Sequence, residues 1–147
     1  MITDDYLTGF EIKSDGDSFA RLAGQINDYN KYCDYCYIVV GKRHENKAAE
    51  HIPHFWGIMV VYELDCGKVL RIVRKASRNR IATTRTQLSL LWSSELKAIL
   101  ARHKLPKTKY RSRSDRVNFL LKSVPEKTLR IDMTDMLFER DYTLNYS

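Results

Sequence analysis

A carboxylate and an ammonium group lie two positions apart in the segment GFEIKSDGD, residues 9–17. Residues i and i+2 of a strand point to the same face, so we expect Glu11 and Lys13 side by side, with Phe10 and Ile12 facing the core. Metal-dependent phosphodiester cleavage needs such groups: a carboxylate holds the divalent cation, and an ammonium stabilises charge on the phosphate. The same pair on an exposed strand is more often a solvated surface only.

Mg²⁺ suits a site of this kind, because it keeps several waters and takes only one or two carboxylates. A second candidate metal site has the spacing C-x2-C-x14-H-x2-H, with Cys33, Cys36, His51 and His54. Zinc fingers space their histidines more widely, and Cys36 falls inside an apolar strand, so zinc is the less favoured metal. A redox role for the cysteine pair is also disfavoured, because Cys33 lies near the C-terminus of an expected helix.

Two strands and one helix are expected around the E-x-K pair. Residues 7–13 predict the first strand, and apolar residues at helical spacing predict a helix from an N-cap at Asp17 or Ser18 to about Tyr32. Residues 35–41 (YCYIVVG) are nearly all apolar, which is typical of a strand buried on both faces. Parallel pairing of the two strands across the helix gives a βαβ unit.

The rest of the chain predicts an α/β protein: a mixed sheet with flanking helices, followed by a helical C-terminal part. We expect a polar helix over 43–51, a strand over 55–63 and an exposed edge strand over 68–75. A basic loop or linker follows from residue 77, and then a helix over 88–103 whose apolar stripe places Trp92 in the core. A second basic loop, a further helix and a last helix beginning at Pro125 complete the chain. The composition divides it into domains at 1–76 and 77–147.

Several of these segments, in order, resemble the PD-(D/E)XK nuclease superfamily, and within it small bacterial proteins grouped with MmcB-type DNA-repair proteins. The resemblance rests on GFEIKSDGDSF, the helix containing Gln25 and the strand YCYIVVGKRHENKA. It implies a restriction-endonuclease-like fold that cuts DNA with Mg²⁺ or Mn²⁺. Glu11 and the Ile12 carbonyl would be metal ligands. Lys13 would be the partner of the catalytic base or would stabilise charge, and Gln25 would position Lys13 or the phosphate.

One part of that superfamily's pattern is missing. A metal-binding Asp belongs on the preceding strand, at a position that would fall before Met1. Asp4 and Asp5 are the only nearby carboxylates. Either one of them substitutes for the missing ligand, with Asp5 as the candidate, or the chain is an N-terminally truncated relative, and we favour the second interpretation. Asp15 matches the motif too, although a turn residue before the helix is an equal explanation.

The net charge of +7 is concentrated in the middle of the chain. Residues 68–130 carry 18 Lys or Arg against 3 Asp or Glu, whereas the segments on either side are acidic. Fields of this kind attract nucleic-acid backbones, although a solvated basic face with no partner is the plainer alternative. The predicted backbone contacts are Arg74, Lys75, Arg78, Arg80, Arg111 and Arg113.

The sequence lacks nucleotide-binding glycine loops, serine-hydrolase signatures, membrane-length apolar runs and a signal peptide. We therefore expect a cytoplasmic protein, and three cysteines indicate reduced thiols. Three functions stay open: a nuclease acting on DNA, a catalytically incomplete nucleic-acid-binding protein of the same fold, and a protein-interaction module with a basic face. Homo-oligomerisation and the choice between DNA and RNA are also open.

Overall fold

The computed structural model describes residues 2–3, 6–106 and 112–144, with the backbone alone for residues 2, 3 and 141–144. The chain forms two compact units, Leu7–Ala82 and a second that joins Ile2–Tyr6 to Thr83–Ser147. The domain boundary inferred from composition, between residues 76 and 77, stays a prediction.

The chain belongs to the α/β class, with a mixed sheet, flanking helices and a helical C-terminal part, so the predicted fold class is confirmed. Its strands are β1 (Ile2–Thr3), β2 (Tyr6–Lys13), β3 (Tyr35–Gly41), β4 (Gly57–Leu64) and β5 (Gly67–Arg74). Its helices are α1 (Leu22–Tyr32), α2 (Glu45–His51), α3 (Thr84–Leu88), α4 (Ser93–Arg102), α5 (Arg113–Ser123) and α6 (Glu126–Leu144), with a 3-10 turn at Lys42–His44. None of the helices in these described ranges is long and apolar enough to cross a membrane.

The sheet of the first unit has the strand order β2-β3-β4-β5. Strands β2, β3 and β4 run parallel, and β5 returns antiparallel to β4 as a hairpin. Parallel neighbours need a crossover connection, and α1 supplies it between β2 and β3, as predicted. Both α1 and α2 pack on one face, where they form a core with alternate residues of β3 and β4: Leu22, Ile26, Cys36, Ile38, Val40, Ala48, Ile58 and Val60. Strand β3 is therefore buried on one face and half-buried on the other, not buried on both as expected.

Helix α1 begins at Leu22, later than predicted, because the expected N-cap residue is used elsewhere. The Asp17 carboxylate accepts hydrogen bonds from the Ser14 backbone amide (2.8 Å) and the Ser14 hydroxyl (2.7 Å). These two bonds, the hydroxyl's first, lower the pKa of Asp17 below its ordinary value. Asp17 thus closes a turn after β2, and the residues up to Arg21 are irregular.

The second unit corrects two further predictions. The helix predicted from residue 88 to 103 begins only at Ser93, as α4. A separate short helix, α3, begins at Thr84, inside the predicted loop, because the Thr83 hydroxyl caps it. Trp92 is not a core residue: it lies between the two helices with 55% of its surface exposed, and the Arg140 guanidinium stacks on its ring. The core of this unit is built instead from aliphatic residues, which are Leu88, Leu91, Leu96, Ile99, Leu100, Leu120, Leu129 and Met133.

Candidate functional site

Glu11 and Lys13 lie on the face of β2 that α1 covers, and this reverses the predicted orientation of the strand. Their residues are 7% and 8% exposed, whereas Ile12 is 69% exposed. The cause is Gly9, two residues before Glu11. A Cβ at Gly9 would lie 2.3 Å from a ring carbon of Tyr29, so only glycine allows α1 to approach so closely. Since residues i and i+2 share a face, the charged pair follows Gly9 under the helix.

Three of the predicted site residues come together there. The Lys13 ammonium lies 3.0 Å from a Glu11 carboxylate oxygen and donates a hydrogen bond of 3.0 Å to the Gln25 amide oxygen. The Tyr29 hydroxyl donates to the Phe10 carbonyl oxygen at 3.0 Å. Burial, followed by the charge of Glu11, raises the pKa of Tyr29. The cluster is thus a buried ion pair on β2, and hydrogen bonds from Lys13 to Gln25 and from Tyr29 to Phe10 join β2 to α1.

This cluster has little to offer a metal ion. The Glu11 carboxylate is already engaged by Lys13, and no group of three His, Cys, Asp or Glu capable of holding a metal occurs among the described residues. Asp5, the other candidate ligand, lies outside those residues. Mg²⁺ or Mn²⁺ at Glu11, the Ile12 carbonyl as a ligand, and catalytic roles for Lys13 and Gln25 all stay predictions.

Asp15 ties the loop after β2 to the turn after β3. Its carboxylate accepts a hydrogen bond of 2.9 Å from the Arg43 backbone amide. A Cβ at Gly41 would lie 2.0 Å from the same carboxylate, so glycine is required where the two loops meet. A cavity of about 550 Å³ opens beside this junction, lined by Lys13, Lys42 and Lys68 as well as by acidic residues. Its mixed charge selects no particular ligand.

A second candidate site lies in the basic segment, which we define as residues 75–80 (KASRNR). Asn79 holds this segment against the end of α1: its amide nitrogen donates to the Asn30 carbonyl (2.7 Å) and the Cys33 carbonyl (2.8 Å). Its backbone amide also donates to the Asp34 carbonyl at 2.7 Å. The loop predicted here is therefore a fixed one. Sequence reasoning missed Asn79, because no periodicity marks a buried Asn between two arginines.

The fixed loop presents Arg78 and Arg80 on either side of the buried Asn79, and both are exposed. They line a cavity of about 430 Å³ together with His54, Phe55 and other residues. Guanidinium groups bind phosphate oxygens, and aromatic faces stack on bases. The cavity therefore has the two kinds of group that a nucleotide strand requires.

Two other predicted cations stabilise the fold instead. The Arg74 guanidinium donates to the Trp56 carbonyl (2.8 Å) and the Pro53 carbonyl (3.2 Å). Arg113 donates in the same way to the carbonyls of Ser89 and Leu91 at the end of α3. Arg111 lies outside the described residues. Arg113 is exposed as well as bonded, and the other exposed members of the predicted set are Lys75, Arg78 and Arg80.

Comparison with known proteins gave one family. The family model described as Bacteriophage P4 protein cII matches residues 1–145. No curated protein and no solved structure matches the chain. The family match overturns the resemblance to PD-(D/E)XK nucleases and MmcB-type proteins, and with it the predicted nuclease function. An E-x-K pair on a strand is too short a pattern to identify an enzyme, and here it forms an internal ion pair.

Proposed function

The chain belongs to the bacteriophage P4 protein cII family, and on that premise we propose that it is a phage regulatory protein that binds nucleic acid through its basic segment. The observation that carries the proposal is the pair of exposed arginines, Arg78 and Arg80, fixed by the buried Asn79 at the rim of a cavity. The protein would regulate by occupying a site on the nucleic acid, without cleaving a phosphodiester bond.

Charge supports a polyanionic partner. The basic segment is part of the stretch 68–130, in which cations outnumber acids by 18 to 3. Each Lys or Arg that neutralises a phosphate releases condensed counterions, which favours binding at low salt. An ordered loop adds to this, because side chains held in place lose less entropy on binding than those of a mobile linker.

We take DNA as the partner in the first instance, and the cytoplasm as the compartment in which it is bound. Contacts from Lys75, Arg78 and Arg80 to phosphates would position the protein without reading sequence. His54 and Phe55, which line the same cavity, would contact a base or sugar. RNA has the same phosphates, so binding to both is measured in the test.

The test removes the three exposed cations together as Lys75→Gln, Arg78→Gln and Arg80→Gln. Affinity for a fluorescent DNA duplex, and for single-stranded DNA and RNA of the same sequence, is measured by anisotropy over a salt series. We expect a loss of at least tenfold at low salt. The slope of log affinity against log salt is negative, and it should become less steep by about 0.9 for each duplex phosphate contact removed.

The matched control removes three exposed cations that lie outside the basic segment and its contact with the end of α1, as Arg21→Gln, Lys42→Gln and Lys47→Gln. The net charge changes equally, so an effect of total charge alone would weaken both variants to the same extent. That result, or a parent chain with no affinity for any nucleic acid at low salt, would refute the proposal. Thermal unfolding of each variant establishes that it is folded.

A further inference from the structure

Strand β5 is unusual for an apolar strand, because every residue from Gly67 to Val73 is exposed. Leu70 is 56% exposed and Ile72 50%. β5 ends the strand order, and within the described residues no strand pairs with its outer edge. The free backbone groups of such an edge are a template for pairing with another strand.

We propose that two copies of this chain associate by antiparallel pairing of their β5 strands, which joins the two sheets into one. Three features of β5 support a second copy as the occupant. They are a two-fold register in which no cation lies opposite another, contacts of its cations within one copy, and an exposed apolar face.

Symmetry limits the register. In an antiparallel pair, opposite residues share a face of the sheet. A two-fold axis perpendicular to the sheet keeps every residue on its own face, so it must pass through a point where one residue lies opposite its own counterpart. Centres at Leu70 and at Arg71 keep most of β5 paired. A centre at Arg71 places Arg71 opposite Arg71 and Lys68 opposite Arg74, and like charges directly opposite are destabilising.

The centre at Leu70 avoids these conflicts. It places Leu70 opposite Leu70, Lys68 opposite Ile72 and Val69 opposite Arg71, so that no cation faces another. The side chains of Leu70 and Ile72 are on the face of the sheet away from α1 and α2, because Leu70 lies opposite Val61 and Ile72 opposite Met59. Pairing about Leu70 therefore brings exposed apolar groups of both copies together on that face.

The charges of β5 are partly compensated within one copy, which favours a second copy over an acidic partner. Lys68 lies 3.6 Å from the Glu63 carboxylate, and Arg74 donates to two carbonyls of its own chain. The pKa of Tyr62 is raised, chiefly by its hydrogen bond to Glu45, and the neighbouring Arg71 opposes that rise. An acidic partner strand would therefore meet cations that already have contacts within their own copy.

The first test is a disulfide at the two-fold axis. Opposite Cα atoms in an antiparallel pair are about 4.5–5.5 Å apart, within the range of about 4.4–6.8 Å that a disulfide spans. We expect Leu70→Cys to form a cross-linked dimer under mild oxidation. The variants are made in a Cys66→Ser background, because Cys66 is exposed.

Ile72→Cys is the matched control, since it is as exposed as Leu70 but would lie about 13 Å from its counterpart in this register. Cross-linking of Ile72→Cys in preference to Leu70→Cys would refute the register. The second test is sedimentation equilibrium of the parent chain and of Leu70→Lys, which places two ammonium groups at the axis. We expect the parent chain to be a dimer and the Leu70→Lys variant to be a monomer, with little difference between their unfolding temperatures.

A parent chain that stays monomeric at high micromolar concentration would overturn the proposal, as would a dimer that Leu70→Lys leaves intact. Neither result depends on nucleic acid, so failure here is distinct from failure of the proposed function.

Discussion

The pair Glu11–Lys13 is best understood as a buried ion pair that α1 covers. Removing two charges from water costs several kcal/mol for each ion, and mutual attraction together with the bond to Gln25 offsets that cost. A pair of this kind contributes little net stability, but removal of one member leaves the charge of the other buried without a counterion. This asymmetry gives a test of its structural role.

Glu11→Ala should reduce the free energy of unfolding by about 3–5 kcal/mol, because Lys13 would be left buried without its counterion. The double variant Glu11→Leu with Lys13→Met should be more stable than Glu11→Ala, since no charge remains under the helix. Urea unfolding followed by circular dichroism measures both. Glu63→Ala is the control: it breaks the exposed pair with Lys68, which is worth at most about 1 kcal/mol. A Glu11→Ala variant as stable as this control would contradict the interpretation.

Among the elements, the basic segment differs most from its prediction. Its composition is that of a linker, yet one buried side chain ties it to two carbonyls at the end of α1. Asn79 is thus a positioning residue: it holds Arg78 and Arg80 in place and need not contact nucleic acid itself. Ile81 donates its backbone amide to the Asn79 side chain, which completes the link.

Asn79→Ala should weaken nucleic-acid binding and also destabilise the first unit, by about 1–3 kcal/mol, because the carbonyls of Asn30 and Cys33 lose their donor. Hydrogen exchange should become faster in residues 75–82 while β3 and β4 stay protected. Arg80→Ala is the matched variant: it should lower affinity with no change in exchange or stability. Unchanged exchange in Asn79→Ala would show that the loop is held by other contacts.

At the scale of the whole molecule, the two proposals combine into a geometric expectation. Lys75, the first residue of the basic segment, lies five residues beyond Leu70, so pairing of β5 about Leu70 would place the two Lys75 residues about 33 Å apart at about 3.3 Å per residue. One turn of B-DNA is about 34 Å, the spacing at which two-fold symmetric proteins contact successive grooves. A dimer could then engage one face of a duplex at two points.

A duplex of about 22 base pairs should therefore bind the parent chain at least tenfold more tightly than one of about 10 base pairs, because the second contact is intramolecular. Leu70→Lys should abolish this preference for the longer duplex, because the variant is a monomer and its added charge acts on both duplexes alike. Anisotropy titrations at fixed salt measure the four combinations. Equal loss on both duplexes would mean that Leu70 acts on binding by some other route than dimerisation.

The sequence by itself determined the α/β class, the βαβ unit, the edge strand and the helical second half, because hydrophobic periodicity and turn residues are local signals. It also located the basic stretch. The resemblance that it suggested was wrong, because a short E-x-K pattern recurs without common ancestry.

Only the tertiary structure decided the direction in which those residues point and what they contact. The close approach of Tyr29 to Gly9 turned Glu11 and Lys13 under α1, against the expectation from polarity. Carbonyls distant in sequence engaged Arg74 and Arg113 and left Lys75, Arg78 and Arg80 exposed. The physical reason is the same in each case: the partners are brought together by packing between elements, and no local pattern contains them.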